Sequence, residues 1–232
     1  MKNIIYIGDI HGNFNHIMWY IRAHKITNTT LIQVGDFGIG FKPTSEHHMM
    51  KILNEELGKR GTMLLVIRGN HDNPMYFDGK HDYEFIKFLP DYTEMGIDGL
   101  NHLFIGGAIS IDRTIRTNGI DYWDNEGFIS DMDKASSIRN IDVLVTHTAP
   151  DFVAPIGFNA MVYGYAKKDS DLLNDLEIER TKITEVFNEI KKNNQIKHHF
   201  YGHFHDNVRE HIDGCNHVML GEGHMYNPYL YE

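Results

Sequence analysis

Cysteine and long apolar runs are scarce in this sequence of 232 residues. The single cysteine, Cys215, excludes an internal disulfide and is typical of proteins from a reducing compartment. The apolar run Ile4–Ile7 is too short for a signal peptide or a membrane span, and an acidic residue follows it almost at once. No other segment is long and apolar enough to cross a bilayer. The sequence therefore predicts a cytoplasmic protein without a membrane partner.

Positive charge is also scarce, because 22 lysines and arginines stand against 32 aspartates and glutamates and leave a formal net charge of -10. Broad, non-specific binding of nucleic acid relies on lysine and arginine to neutralise phosphates, so this balance disfavours it. A phosphate-bearing substrate is not excluded, since two bound divalent cations would make a site locally positive while the surface stays acidic.

Internal repeats, low-complexity tracts and linkers rich in proline, glycine or serine are absent as well. The length suits a single domain over residues 1–232, and the aromatic content of 12% argues against disorder. Residues 151–176 hold glycine, proline, asparagine and aspartate without clear periodicity. This composition indicates a long surface excursion within the domain.

Short apolar segments alternate with helical patterns in the first third of the chain. Strands are predicted at residues 3–8, 31–34 and 62–67, and helices at 14–25 and 45–59. This alternation implies right-handed crossovers and a largely parallel sheet, so the fold class is α/β. More closely spaced strands predict a mixed or second sheet in the second half. They are expected at residues 103–105, 143–145, 199–201 and 218–220, with a helix at 183–190.

Histidine is abundant, with 16 copies, and polar residues cluster where predicted strands end. Five strands are followed by a short segment that holds aspartate, asparagine or histidine. Ligands gather at the carboxyl ends of the strands in an open α/β sheet, so these segments should converge. Carboxylate, amide and imidazole donors together favour Mn, Fe, Zn or Co. The candidate metal ligands are Asp9, His11, Asp36, Asn70, His147, His203 and His205.

Each of these motifs alone has a simpler structural explanation. A Gly-Asp pair at a strand end is usually a turn, Asn70 after glycine is usually a left-handed turn residue, and His147 alone is equally well a buried histidine with satisfied hydrogen bonds. The Asp-x-His and His-x-His spacings, however, put alternate side chains on one side of an extended segment, where both reach one ion. Coincidence at all five strand ends is implausible, so the sequence predicts a metal site.

The motifs D-x-H, G-D, G-N-H-D, T-H-x-x-P and G-H-x-H follow one another between residues 8 and 206. This series resembles the calcineurin-like metallophosphoesterase superfamily. The resemblance implies a sandwich of two mixed sheets flanked by helices, with two divalent metal ions where the strands end. Manganese is the expected metal, and Fe, Zn, Ni and Co are the alternatives.

The resemblance also assigns roles to individual residues. One ion would be held by Asp9, His11, Asp36 and His205, and the other by Asp36, Asn70, His147 and His203, with Asp36 as the bridge. His71 matches the family histidine that protonates the leaving oxygen or steadies the phosphate. The alternative for His71 is a hydrogen bond to a loop carbonyl.

Arg68 stands before the G-N-H-D motif, as in the protein-phosphatase branch of the family, where an arginine at this place binds the phosphate. The dipeptide Phe-Gly at 37–38 stands where those phosphatases carry a further Asp-Arg-Gly, so a Ser/Thr protein phosphatase is disfavoured. Arg113 or Arg116 is a candidate replacement for the missing arginine. Surface charge near a turn explains either of them equally well.

The leading hypothesis is a hydrolase of phosphomonoesters or phosphodiesters that works by attack of a metal-bound hydroxide. The acidic charge favours a small-molecule or nucleotide substrate, and the family likeness implies that residues 151–176 form a partial lid over it. A nuclease or polynucleotide-end phosphatase is the alternative, which requires a local basic strip. A non-catalytic metal-binding scaffold is less favoured, because His71 and all the expected ligands are present.

Overall fold

The computed structural model describes residues 3–230, in which five α-helices flank two β-sheets. The helices are α1 (Phe14–Ala23), α2 (Pro43–Gly58), α3 (Met132–Ser137), α4 (Ala160–Ala166) and α5 (Leu172–Lys191). Short 3-10 helices lie at Pro74–Phe77, Arg113–Ile115 and Pro228–Leu230. No helix in this part of the chain is long and apolar enough to span a bilayer.

The first sheet has five strands in the order β11-β1-β2-β3-β4. They are β1 (Ile4–Ile7), β2 (Thr30–Gln33), β3 (Met63–Val66), β4 (Ile86–Phe88) and β11 (Met225–Tyr226). Strands β1 to β4 pair in parallel, and β11 pairs antiparallel with β1. The helices α1 and α2 connect the first three strands, as the alternating pattern predicts.

The second sheet has six strands in the order β5-β6-β7-β8-β10-β9. They are β5 (Thr93–Ile97), β6 (Leu100–Ile105), β7 (Val143–Thr146), β8 (His198–Tyr201), β9 (Val208–Ile212) and β10 (Cys215–Met219). The four central strands pair in parallel, whereas the edge strands β5 and β9 pair antiparallel with their neighbours.

Alternate residues of β1 face opposite layers, which shows how the sandwich is built. Ile4 and Tyr6 pack into a core between the two sheets, where the ring of Tyr6 stacks on Phe200 of β8 with centroids 3.6 Å apart. Ile5 and Ile7 pack instead against α1 and α2. A third core joins α3 and α5 to the outer face of the second sheet. The predicted α/β sandwich of two mixed sheets flanked by helices is confirmed.

Several short elements differ from the prediction. The stretch 151–176, expected to lack regular structure, contains α4 and the start of α5. Helix α4 has no buried residue, so its sequence carries no apolar periodicity. Its first turn is held by Asn159, whose side chain accepts from the backbone amides of residues 161 and 162. The strand predicted at 218–220 begins earlier, as β10 at Cys215–Met219, and the two-residue strand β11 follows it.

Candidate metal centre

The predicted ligands lie in loops that leave the carboxyl ends of β1, β2, β3, β7 and β8. In each sheet these strands are parallel, so the loops meet at one end of the sandwich. A hydrogen bond links the loop after β1 in the first sheet to the loop after β8 in the second. In it, Oδ2 of Asp9 accepts from the backbone amide of His203 at 3.0 Å. Asp9, Asp36 and His147 are almost fully buried. The structure thus brings together the side chains that the five motifs singled out.

One group of donors consists of Asp9, His11, Asp36 and His205, whose ligand atoms all lie within 4.8 Å of one another. Nε2 of His205 lies 3.2 Å from Oδ2 of Asp9. Nε2 of the same ring lies 3.1 Å from Nε2 of His11. Two imidazole nitrogens and two carboxylates therefore face a common point.

A second group consists of Asp36, His147 and His203, again within 4.8 Å. Nε2 of His147 lies 3.1 Å from Oδ1 of Asp36 and 3.1 Å from Oδ1 of Asn70. Nδ1 of His147 donates to the carbonyl of Val34 at 2.8 Å, so Nε2 is the atom that faces the centre. Positive charge, as a proton or a metal ion, is needed between these nitrogen and oxygen acceptors. The donor set therefore fits a pair of cations that share Asp36.

The electrostatics of the centre favour positive charge. Burial by itself raises the pKa of Asp36, but His147, His71 and His11 outweigh burial and hold that pKa well below its usual range. Burial lowers the pKa of His147, yet the Asp36 carboxylate prevails and raises it to about 9. Burial and the neighbouring His147 lower the pKa of His203 well below its ordinary value, so this ring is neutral and can offer a lone pair.

The backbone at the centre adopts conformations that are rare outside glycine. His11, Asp36, His203 and His205 have φ of 45°, 56°, 70° and 56°. Asn, Asp and His tolerate this left-handed region better than other non-glycine residues. Neighbouring glycines make the close packing possible, because a Cβ at Gly69 would collide with the Asp36 carboxylate.

Asp72 is a structural residue that the sequence reasoning did not single out. Its buried carboxylate accepts from the backbone amides of Phe37, Gly38, Ile39 and Gly69 at 2.7–3.1 Å. These contacts tie the loop after β2 to the loop after β3. The last position of the G-N-H-D motif was the available signal for this role.

Asn70 is oriented by residues that the sequence reasoning also missed. Its Nδ2 donates to Oγ of Ser110 at 3.0 Å, which turns Oδ1 towards His147. The backbone amide of Ser110 donates to Oε1 of Glu126 at 2.7 Å. Glu126 is buried, and burial raises its pKa to about 8. Within residues 3–230, its Oε2 has no hydrogen-bond partner.

His71 lies at the edge of the centre, half-buried, with its ring 4.9 Å from the ring of His11. Nη2 of Arg116 donates to Nε2 of His71 at 3.3 Å. Burial lowers the pKa of His71; Asp36 opposes this shift and Arg116 adds to it. The guanidinium of Arg116 donates to the carboxylate of Asp112 at 2.6 Å and to the carbonyl of Asp121 at 2.9 Å, and these hydrogen bonds fix its orientation.

Arg68 and Arg113 are engaged elsewhere. Arg68 is only 3% exposed, and its guanidinium binds Asp91 at 2.8 and 3.0 Å and the backbone carbonyls of residues 125–127. This arrangement argues against the predicted phosphate contact and for a role in holding that loop. Arg113 forms ion pairs of 2.6 Å with Asp169 and with Asp175.

The comparison with protein families agrees with the motifs. A family model for calcineurin-like phosphoesterases matches residues 2–207. Among solved structures, the phosphopantetheinyl hydrolase (PptH) from Mycobacterium tuberculosis is similar over 95% of this chain and 90% of that chain, with 15% identity and a TM-score of 0.49. No curated protein matches the sequence significantly. The chain belongs to the calcineurin-like phosphoesterase family and is a metal-dependent hydrolase of phosphate esters.

Proposed function

We propose that this protein is a binuclear phosphoesterase that hydrolyses small phosphomonoesters or phosphodiesters. The observation that carries the proposal is the pair of donor groups that share Asp36. A carboxylate common to two clusters would serve two ions at once, and two ions would supply the positive charge that a reacting phosphate needs.

The ligand assignment follows the two groups. The first ion is assigned to Asp9, His11, Asp36 and His205, and the second to Asp36, Asn70, His147 and His203. The family likeness favours manganese, with Fe, Zn, Ni and Co as alternatives, and mixed oxygen and imidazole donors are compatible with each of these metals. When bound, the ions supply positive charge that neutralises the ester and acidify a water molecule that becomes the nucleophile.

His71 and Arg116 act on the substrate from the open side of the centre. We assign His71 to protonation of the leaving oxygen, because its ring adjoins His11 without belonging to either donor group. Arg116 is assigned to the phosphate, because its side chain is fixed in place yet 16% exposed beside His71. A guanidinium suits this task since it donates two parallel hydrogen bonds to phosphate oxygens.

We further propose that residues 151–176 act within the same domain by positioning the loop that carries Arg116. Asp169 and Asp175 hold Arg113, which lies three residues before Arg116 in the sequence. A substrate-dependent movement of this segment would therefore be transmitted to the phosphate-binding arginine.

A nuclease or polynucleotide-end phosphatase remains the second candidate, and charge disfavours it. The formal net charge is -10, and Arg68 and Arg113 are each engaged by carboxylates. A small-molecule or nucleotide substrate is the better match. A cytoplasmic location stays a prediction.

The direct test is turnover of para-nitrophenyl phosphate and of its bis ester by protein loaded with manganese. Preference for the first would identify a phosphatase, and preference for the second a phosphodiesterase. Elemental analysis should find two ions in the native protein and none in Asp36→Asn, whereas Asp213→Asn, at a side chain 82% exposed, should retain both. Retention of two ions by Asp36→Asn would contradict the bridge. Absence of turnover with each of the five metals would indicate a scaffold.

A further inference from the structure

A cavity of about 430 Å³ opens beside His11 and His71. The cavity lies between the loop after β2 and the first turns of α2. The part of its wall that faces away from His11 and His71 contains no predicted metal ligand and no residue of a family motif. The size of the cavity falls in the lower part of the range of small-molecule sites, roughly 300–1,000 Å³.

The wall of the cavity is mostly apolar. Phe14, Phe41 and Met49 line it. Phe41 is held in place by an edge contact with Trp123, with ring centroids 5.1 Å apart. Its ring lies near the ring of His71, with centroids 6.4 Å apart and an angle of 22° between the planes. The wall is therefore preformed and suited to a flat apolar group.

Besides the two histidines, the polar side chains at the cavity are Lys42, Ser45 and Glu46, and the Ser45 hydroxyl donates to the carbonyl of Lys42 at 3.1 Å. The two oxygens of the Glu46 carboxylate accept from the backbone amides of Gly40 at 2.7 Å and Lys42 at 2.6 Å. A polyol placed against the phenylalanine and methionine side chains would lose hydrogen bonds to water without replacing them. An apolar ring would lose none.

We propose that this cavity binds the leaving group of the substrate, and that this group carries an apolar ring. The inference rests on the proposed function, in which His71 protonates the leaving oxygen. Because His71 lines both the reaction centre and the cavity, the carbon chain attached to that oxygen enters the cavity directly. The substrate class is thus a small phosphate ester with a ring-bearing alcohol.

The test compares benzyl phosphate with ethyl phosphate, two primary-alcohol esters that differ by the ring. The manganese-loaded protein should show kcat/KM for benzyl phosphate roughly tenfold or more above that for ethyl phosphate, since the ring adds apolar burial. Phe41→Ala and Met49→Ala should abolish this preference by lowering kcat/KM for benzyl phosphate to about the value for ethyl phosphate in the same variant. Met75→Ala, at a methionine 58% exposed outside the cavity, is the matched control and should change neither value. If Phe41→Ala fails to fold, Phe41→Leu is read for a partial loss of the preference.

Binding separates this inference from the proposed function. Benzylphosphonate and ethylphosphonate cannot be hydrolysed, and calorimetric titration should give the benzyl compound a dissociation constant roughly tenfold lower. This preference in a protein without turnover would support the cavity and overturn the hydrolase. Equal turnover of both esters together with equal binding of both phosphonates would overturn the cavity assignment and leave the hydrolase intact. A benzyl preference that survives Phe41→Ala and Met49→Ala would also overturn it.

Discussion

Nη2 of Arg116 lies 3.3 Å from Nε2 of His71. Arg116 stands in a loop that contains none of the family motifs. The contact joins a permanent positive charge to the imidazole that borders the metal centre. Among the three arginines considered from the sequence, Arg116 is the one that contacts His71, which supports its proposed role at the phosphate.

Removal of Arg116 should therefore impair catalysis. Hydrogen bonds from a charged donor are each worth about 1.5–3 kcal/mol, so Arg116→Ala should lower kcat/KM for para-nitrophenyl phosphate by roughly 10- to 100-fold. Arg116→Lys should recover part of the loss. Arg139→Ala, at an exposed arginine that binds only the local carbonyls of Ser136 and Ile138, is the control. Unchanged kinetics in Arg116→Ala would refute the assignment.

Loss of the Ser110 hydroxyl should weaken metal binding. Its Oγ accepts from Asn70, and groups that orient a ligand typically change metal affinity by about 10- to 100-fold when removed. Titration of metal-free Ser110→Ala with manganese should show this decrease for one of two ions. Ser136→Ala, where the hydroxyl donates to the carbonyl of Asp133, should bind both ions normally. Two unaltered affinities in Ser110→Ala would mean that Asn70 is oriented by other contacts.

Arg68→Ala should destabilise the fold. The Arg68–Asp91 pair is buried, with side chains 4% and 14% exposed, and removing one partner of such a pair costs about 3–5 kcal/mol. Urea unfolding should measure this loss, and the double variant Arg68→Ala/Asp91→Asn should lose less than the sum of the single variants. An increase in KM with unchanged stability would instead restore the original prediction that Arg68 binds phosphate.

Protonation of His102 should contribute a loss of stability in mild acid. Burial lowers the pKa of this fully buried histidine from 6.5 to about 4. The unfolded chain therefore binds a proton that the folded chain does not, and stability decreases as the pH falls from about 6.5 towards about 4. The contribution of one such group is about 3 kcal/mol. His102→Gln should flatten the dependence of urea unfolding on pH, and the exposed His48→Gln should not. An identical slope in His102→Gln would exclude this origin.

The seven proposed ligands were predictable because each follows a strand whose apolar pattern is local. Parallel pairing then brings the carboxyl ends of the strands together, whatever conformation the connecting loops adopt. The edge strands β5 and β9 were not predicted, since they are partly exposed along their length and carry no continuous apolar run. Strand β11 has two residues, too few for a period to be recognised.

The supporting residues could not be predicted for a different reason. Ser110 contacts Asn70 across 40 positions, and Arg68 contacts Asp91 across 23, so no local pattern encodes either pair. Which of several arginines faces the substrate depends on which carboxylates capture the others. Asp91 binds Arg68 and Asp169 binds Arg113, whereas Asp112 binds Nε of Arg116 and leaves its Nη2 beside His71.

The left-handed turns at His11, Asp36, His203 and His205 limit which amino acids these positions accept. A residue in this region carries a backbone cost of about 1–3 kcal/mol, and the cost is lowest for glycine and for short polar side chains. Glutamate or glutamine would supply the same donor atoms, but these residues tolerate the left-handed backbone conformation less well. The shape of the main chain thus restricts the donor repertoire to aspartate, asparagine and histidine, and a change in metal preference would first require the loops to be rebuilt.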